Sequence, residues 1–340
     1  MIATRAFLLA AGRGMRFRPV TESIPKPLAP FLNVPLARAH LRRLLDAGIS
    51  ETAVNLHHLG DEIVKDLVDH AAELPKVRFF PEPEILGTAG GLRNAAAFLS
   101  AGDFLVVNAD AAIEPDYASL LGRHRESGRA ATLLVVENRD PDRYTPLQSE
   151  GDRVTGFGRK AADRARVGRP PLLYTGVCVL APRLLERIPP GETSLVADLW
   201  DPLLEEGREE IGWVSHEGPF ADLGSPRDFL RATLEALARG GPFPAGSGHF
   251  DESSRVLALR GRGGSGGGVF EASNSVLGGS AIGGGARIES SAVWAGCEVG
   301  ASVTLTRCLA ASGRIAPGTV ATDALFWGRA GDEAALFPLR

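Results

Sequence analysis

Cysteine is scarce: Cys178, Cys297 and Cys308 are the only three in 340 residues. Three thiols cannot build a disulfide framework, and their spacing matches no metal-ligand pattern, so a reducing, cytoplasmic setting is expected. An excess of positive charge is also lacking. Lys and Arg number 37 against 41 Asp and Glu, for a formal net charge of −4. No basic cluster stands out, which argues against a nucleic-acid partner held through phosphate contacts. No apolar run approaches the roughly 20 residues needed to span a bilayer. The apolar start at residues 6–11 is too short for a secretory signal, and Arg13, Arg16 and Arg18 follow at once; it reads as a first buried strand. The chain that remains is 44% hydrophobic and 23% charged. That is an ordinary globular balance, long enough for one large domain and a smaller one.

Glycine is unevenly spread, with 19 of the 41 between Gly240 and Gly318. Before that region, apolar runs alternate with segments of helical period. Strands are expected at 6–11, 52–56, 77–80, 104–107 and 131–136, and helices at 36–47, 59–73, 89–99 and 116–127. Such alternation predicts an α/β fold with a mostly parallel, Rossmann-like sheet flanked by helices. Ligands of such sheets bind beyond the carboxyl ends of the strands, so the loops at 12–27, 81–91 and 108–114 should line one crevice. After residue 270, aliphatic residues recur every six positions: Val276, Ile282 and Ile288; Val299 and Leu305; Leu309 and Ile315. Small residues fill most places between them. This suits a left-handed parallel β-helix of two to three coils, with register slips at its corners. The expected division is 1–238 catalytic, 239–268 a Gly-rich linker, 269–322 β-helix and 323–340 a tail.

The chemistry concentrates in the first loop, Leu9-Ala10-Ala11-Gly12-Arg13-Gly14-Met15-Arg16-Phe17-Arg18-Pro19-Val20-Thr21, followed by Pro25-Lys26-Pro27. Gly12 and Gly14 let backbone N–H groups approach a phosphate. Arg16 adds a planar fork of donors, and Lys26 a point charge in a stretch stiffened by two prolines. A dinucleotide fingerprint is excluded because Phe17 and Pro19 stand where glycine and a helix are needed. A Walker A loop is excluded because Gly-Lys-Ser/Thr is missing.

These residues resemble the signature of the sugar-1-phosphate nucleotidylyltransferases, written G-x-G-x-R-x-x-P-x-T and then P-K-P. The similarity continues through residue 238. Glu84-Ile85-Leu86-Gly87-Thr88-Ala89-Gly90 resembles the base-binding segment. Asn108-Ala109-Asp110 resembles the Asn-Gly-Asp metal motif, with Ala for Gly, and Asp222-Leu223-Gly224-Ser225-Pro226 resembles Asp-x-Gly-x-Pro. Lys160 stands in the family's Glu-Lys place with Arg159 for the acid. Tyr174-Thr175-Gly176 stands in its Asn-Ala-Gly place with Tyr for Asn.

The resemblance implies that a sugar-1-phosphate oxygen attacks the α-phosphorus of a nucleoside triphosphate, releasing pyrophosphate. Arg16 and Lys26 would hold the triphosphate. Asp110 and Asp222 would hold Mg²⁺, which commonly takes one or two carboxylates. Leu9 to Gly12, Gly14, Met15, Glu84, Gly87, Thr88 and Gly90 would bind the nucleotide, with the two helix-opening glycines leaving room for a flat base. Asn108, Lys160, Tyr174, Thr175 and Gly176 would face the sugar phosphate. Alone, Asp110 could be a helix N-cap, Asp222 an Asx-turn and Lys160 a surface charge; their joint occurrence with the first loop favours the site.

The Leu-Gly-Thr-Ala-Gly segment and the β-helix tail resemble mannose-1-phosphate guanylyltransferases. The stretch Asn55 to Gly60 resembles the N-acetylmuramate-1-phosphate uridylyltransferase branch. GTP and mannose-1-phosphate are therefore expected, with a UTP- or dTTP-using hexose-1-phosphate enzyme as the alternative. A non-catalytic paralogue binding an NDP-sugar is the alternative of another class, motivated by Ala109, Arg159 and Tyr174. His57 and His58 are expected to cap a strand end. The β-helix has no evident catalytic His for acyl transfer and is expected to serve assembly into a homo-oligomer.

Overall fold

The computed structural model describes residues 4–158, 171–207, 210–240, 247–259 and 269–339. By contact density it divides into two units: residues 1–13 with 40–220, and residues 14–39 with 221–340.

Among the described residues, the first unit is built on a sheet of nine strands: β1 (Arg5–Leu9), β2 (Glu51–Leu56), β3 (Lys76–Pro81), β4 (Phe104–Asn108), β5 (Ala131–Glu137), β6 (Leu147–Glu150), β7 (Arg153–Phe157), β8 (Leu172–Leu180) and β9 (Ile211–Ser215). Their order in the sheet is β3-β2-β1-β4-β8-β5-β9-β7-β6. Only β7 and β8 run against the other seven. The expected strands and helices are present, with helices at Leu36–Asp46, Gly60–Asp69, Gly87–Asn94 and Tyr117–Ser127, the last capped by the Asp116 carboxylate on Ser119 N; the helix expected over 59–73 stops four residues early at Asp69, and a separate 3-10 turn follows at Ala71–Glu73. The apolar run at 6–11 becomes a strand because Ala6, Phe7 and Leu8 are fully buried between two neighbours. The expected helix at 89–99 begins two residues earlier and is interrupted at Ala95.

The chain order matters more than the strand count. β1 is followed in space by β2 and β3 on one side, and the chain then returns to place β4 on the other side. Loops leaving the carboxyl ends of β1 and β4 therefore diverge and leave a crevice. The antiparallel insertion of β8 beside β4 has no counterpart in the local pattern. A strand's direction is decided by its crossover, which periodicity does not encode.

In the second unit, the six-residue pattern closes into a parallel β-helix. One face carries the parallel rungs Val256–Ala258, Ser275–Leu277, Ala292–Val293, Leu309–Ala310 and Ala324–Trp327. The second has four rungs and the third three. Antiparallel strands His249–Asp251 and Ala335–Pro338 flank the first face and cover its edges. Segments outside 269–322 thus add rungs and caps, while 241–246 and 260–268 of the expected linker lie outside the described residues.

Inside, Ile288, Leu305 and Ala321 stack on one face, and Ile282, Val299 and Ile315 on another. The partners are 16 or 17 residues apart, short of three full six-residue sides, and this explains the register slips in the sequence. Asn274, Ser290, Arg307 and Asp323 occupy the same corner of successive coils, each with φ between 44° and 53°. Their side chains bond along the column, Asn274 to Ser290 and Arg307 to Asp323. Left-handed non-glycine residues cost on the order of 1 kcal/mol each, and the coil-to-coil ladder offsets that cost.

Leu305 is fully buried in this prism. Leu305→Ala should destabilise the second unit by about 2–5 kcal/mol, read as a lower denaturation midpoint.

Candidate active site

The crevice starts from a register. β1 and β4 pair in parallel with Leu9 opposite Asn108, and Ala109 N donates to Leu9 O at 3.1 Å. The start of the glycine loop (Leu9, Ala10, Ala11, Gly12) is therefore level with Asn108-Ala109-Asp110. Asp110 is half-buried and leads into the short strand Ala111–Ile113, so it caps no helix. Behind it, His40 is 2% exposed and its Nε2 donates to Ala111 O at 2.9 Å. Burial pulls the His40 pKa down to about 4, further than the nearby Asp110 raises it. The imidazole is thus neutral and holds the backbone that follows Asp110.

A buried chain of hydrogen bonds ties this loop to the expected base-binding segment. Ala10 N donates to Asn55 Oδ1 at 2.7 Å, and Asn55 Nδ2 donates to Glu82 Oε1 at 2.8 Å. Glu82 Oε2 accepts from Leu86 N at 2.9 Å. Asn55 and Glu82 are 2% and 3% exposed. His57 does cap a strand end, its Nδ1 donating to Glu82 O. Glu84 lies on the exposed side of the same turn.

The helix Gly87–Asn94 is held by a neighbouring segment. Ala89 N donates to Thr193 O, Thr193 N to Leu86 O, and Leu195 N to Thr88 Oγ1. A Cβ on Gly87 would lie 2.4 Å from Thr193 O, and one on Gly90 2.4 Å from Gly191 O. The expectation that these two glycines leave room for a flat base is therefore corrected. They are small because the 191–195 backbone packs against them.

The sugar-side residues are placed unequally. Gly176, at φ +83°, sits in an irregularity of β8 between Tyr174 and Cys178. The Asn108 side chain lies over it, 2.4 Å from where a Cβ would stand. Thr175 is buried, with Oγ1 donating to Leu134 O. Tyr174 packs against the core and its hydroxyl donates to Cys178 Sγ at 3.2 Å. Burial pushes the Tyr174 phenol well up, and the Cys178 thiol up to about 12. Lys160 and Arg159 lie outside the described residues.

In the second unit, Gly14 adopts φ +59° and Thr21 Oγ1 donates to its carbonyl at 3.0 Å, folding residues 14–21 into a compact turn. Met15 and Arg16 are exposed on it, whereas Lys26 is only 5% exposed. Arg16 Nη1 lies 3.5 Å from Asp222 Oδ2. A Cβ on Gly224 would meet that guanidinium at 2.4 Å. The Asp-x-Gly segment is thus a seat for Arg16: Asp222 supplies the charge, Gly224 the space, and Ser225 caps the helix Pro226–Arg239 through Asp228 N.

Glu82, His40 and the Thr193 segment were not singled out from sequence, and Asn55 entered only as the start of a family-like stretch. The signal available was weak: a polar residue inside an apolar strand, and a second acid two residues before Glu84.

Residues 5–239 match the family model described as "Nucleotidyl transferase". The chain is 30% identical over 306 residues, 89% of its length and 83% of the relative's, to a mannose-1-phosphate guanylyltransferase of Mycobacterium tuberculosis. It is 32% identical over 231 residues to the catalytic subunit beta of that enzyme from Drosophila pseudoobscura pseudoobscura, covering 67% of this chain and 61% of that one. The crystal structure of HddC from Yersinia pseudotuberculosis superimposes with a TM-score of 0.58 at 25% identity, over 68% of this chain and 99% of that one. The chain belongs to the nucleotidyl transferase family, among its sugar-1-phosphate nucleotidylyltransferases.

Removing either member of the Asn55–Glu82 pair strands a buried polar group. Asn55→Ala and Glu82→Ala should each cost about 1–3 kcal/mol in chemical denaturation. The double variant should cost less than their sum, because the two share one bond.

Proposed function

We propose that this protein joins GTP and mannose-1-phosphate to give GDP-mannose and pyrophosphate. The observation that carries the reaction class is the level pairing of Leu9 with Asn108, which sets a glycine loop beside an acidic strand end at the sheet's switch point. The substrate pair is supported by the names of the relatives, above all the one aligned along 89% of the chain.

In this reading a phosphate oxygen of the sugar phosphate attacks the α-phosphorus. A new P–O bond forms, the bond to the β-phosphate's bridging oxygen breaks, and pyrophosphate leaves. Such transfers depend on position and charge neutralisation. Gly12, Gly14 and Met15 present backbone to the triphosphate, and Arg16 and Lys26 neutralise the leaving group. Arg16 is drawn from its seat on Asp222 as the phosphates arrive. Glu84, Gly87, Thr88 and Gly90 face the base by their backbone and edges. Asn108, Lys160, Tyr174, Thr175 and Gly176 form the sugar-phosphate side; because the Tyr174 and Thr175 hydroxyls are already bonded within the protein, their contribution is shape.

Asp110 and, on its motif alone, Asp222 are assigned to Mg²⁺. Hard carboxylate oxygens suit that ion, and Asp222 Oδ2 lies 3.5 Å from Arg16 Nη1. When bound, the ion would neutralise charge on the phosphates. The setting in this reading is cytoplasmic, which three free, buried thiols fit. Among the described residues no helix is long and apolar enough to cross a membrane. Self-assembly would use the β-helix, where Val320 is exposed on an outer face.

Pyrophosphate release is the test. With mannose-1-phosphate, GTP should exceed ATP, CTP, UTP and dTTP by about tenfold or more in kcat/KM, a modest discrimination for base contacts. Asp110→Asn should lose about 100-fold or more in kcat. Faster turnover of another pair would overturn the substrates, near-normal turnover by Asp110→Asn the site, and nucleotide-sugar binding without release for any triphosphate the catalytic reading.

A further inference from the structure

The β-helix does something its fold alone does not require. Its first face stacks Leu277, Val293, Ala310 and Phe326 in register, coil upon coil. The next residue in each coil forms a corner column: Gly278, Trp294, Ala311, Trp327. Two of these four are tryptophans, and both reach residues of the signature segment. The Trp294 ring lies parallel to Phe17, with centroids 6.3 Å apart and planes within 11°. Phe229, from the helix after the Arg16 seat, meets both rings edge-on at 5.5 and 5.3 Å. Trp327 Nε1 donates to Ser23 Oγ at 3.2 Å. A third tie comes from Asn33, whose Nδ2 donates to Leu277 O and Ser247 O.

Trp294 is 2% exposed and Phe17 fully buried, yet among the described residues Trp294 Nε1 has no hydrogen-bond partner. A buried indole normally finds one. Its stack on Phe17 and edge contact with Phe229 point to the ring's packing as what the position supplies. Phe17 is next to Arg16, whose side chain is 64% exposed. The turn is thus two-sided: a basic face open to solvent and an aromatic face bonded into the β-helix. Contact density agrees, grouping residues 14–39 with the β-helix.

We propose that Trp294 is a positioning residue for nucleotide binding. Through its stack on Phe17 it fixes the turn that carries Gly14, Met15 and Arg16, so the β-helix is part of the nucleotide site's foundation as well as a surface for assembly. This rests on the reading that the turn binds the triphosphate. The inference is separable from that reading, because anchoring can be observed without any substrate.

The experiment has two arms on the full chain. In hydrogen exchange without ligand, amides of residues 14–28 should exchange about tenfold faster in Trp294→Ala than in the wild type, while those of Phe104–Asn108 keep their protection. Trp294→Phe, which keeps a ring for the stack, should restore most of the protection. In the pyrophosphate assay, Trp294→Ala should raise the KM for GTP about tenfold with the KM for mannose-1-phosphate within about twofold. Trp294→Phe should again recover. Unchanged exchange in 14–28 overturns the anchoring. Faster exchange with an unchanged KM for GTP overturns its role in binding. A wild type that turns over no substrate pair defeats the proposed function, and the exchange arm still decides the anchor. Should Trp294→Ala not fold, Phe17→Leu, which keeps an apolar side chain but removes the ring pair, should give the same exchange pattern, and its failure to do so counts against the proposal.

Discussion

The parallel pairing of β1 with β4 is the constraint on which the crevice depends. Each strand is apolar and buried on both faces, so neither can slip without exposing its core residues or burying the polar ones that follow. Register is therefore tightly held, and it sets Leu9 level with Asn108. The chain leaves both strands at the same height, one exit rich in glycine and the other ending in Asp110. Reordering the strands would keep every helix and every apolar run, yet it would separate these two loops.

Around that point, the polar groups answer to one another before they answer to a ligand. Asn55 and Glu82 link Ala10 to Leu86 across three strands. His40 fixes the carbonyl after Asp110. Thr193 and its neighbours clamp the helix at Gly87. Such satisfied buried networks rigidify what they connect, and rigid loops are what in-line transfer to a phosphate needs. Glycine serves packing at several of these places: at Gly87, Gly90 and Gly224 the space a side chain would fill is already taken by backbone carbonyls or by the Arg16 guanidinium.

The second unit joins two sequence features that look unrelated. The basic turn near the start of the chain and the glycine-rich coils near its end share one aromatic cluster of Phe17, Phe31, Phe229 and Trp294. A narrow β-helix buries little by itself, and each coil relies on its neighbours. Packing one of its faces against a helix and an aromatic turn adds burial that the prism lacks.

Local order was legible along the chain because local physics decides it. A run of buried apolar residues such as Ala6 to Leu8 makes a strand, an i, i+4 stripe such as Ile63 and Leu67 makes a helix, and an aliphatic every six residues makes a coil. The family's motifs were legible for the same reason, since phosphate and metal ions demand particular residue types in close spacing. Other features depended on partners far away in sequence: the direction of β8, the Asn55–Glu82 link, the true neighbours of Gly87 and Gly90, and the meeting of Phe17 with Trp294. A residue's period reports which side is apolar, but the identity of what covers that side is settled only when distant segments compete for the same space. By itself, the sequence determined the elements and the candidate groups; the tertiary structure decided which of them stand together, because close packing and hydrogen-bond satisfaction are properties of the whole folded chain.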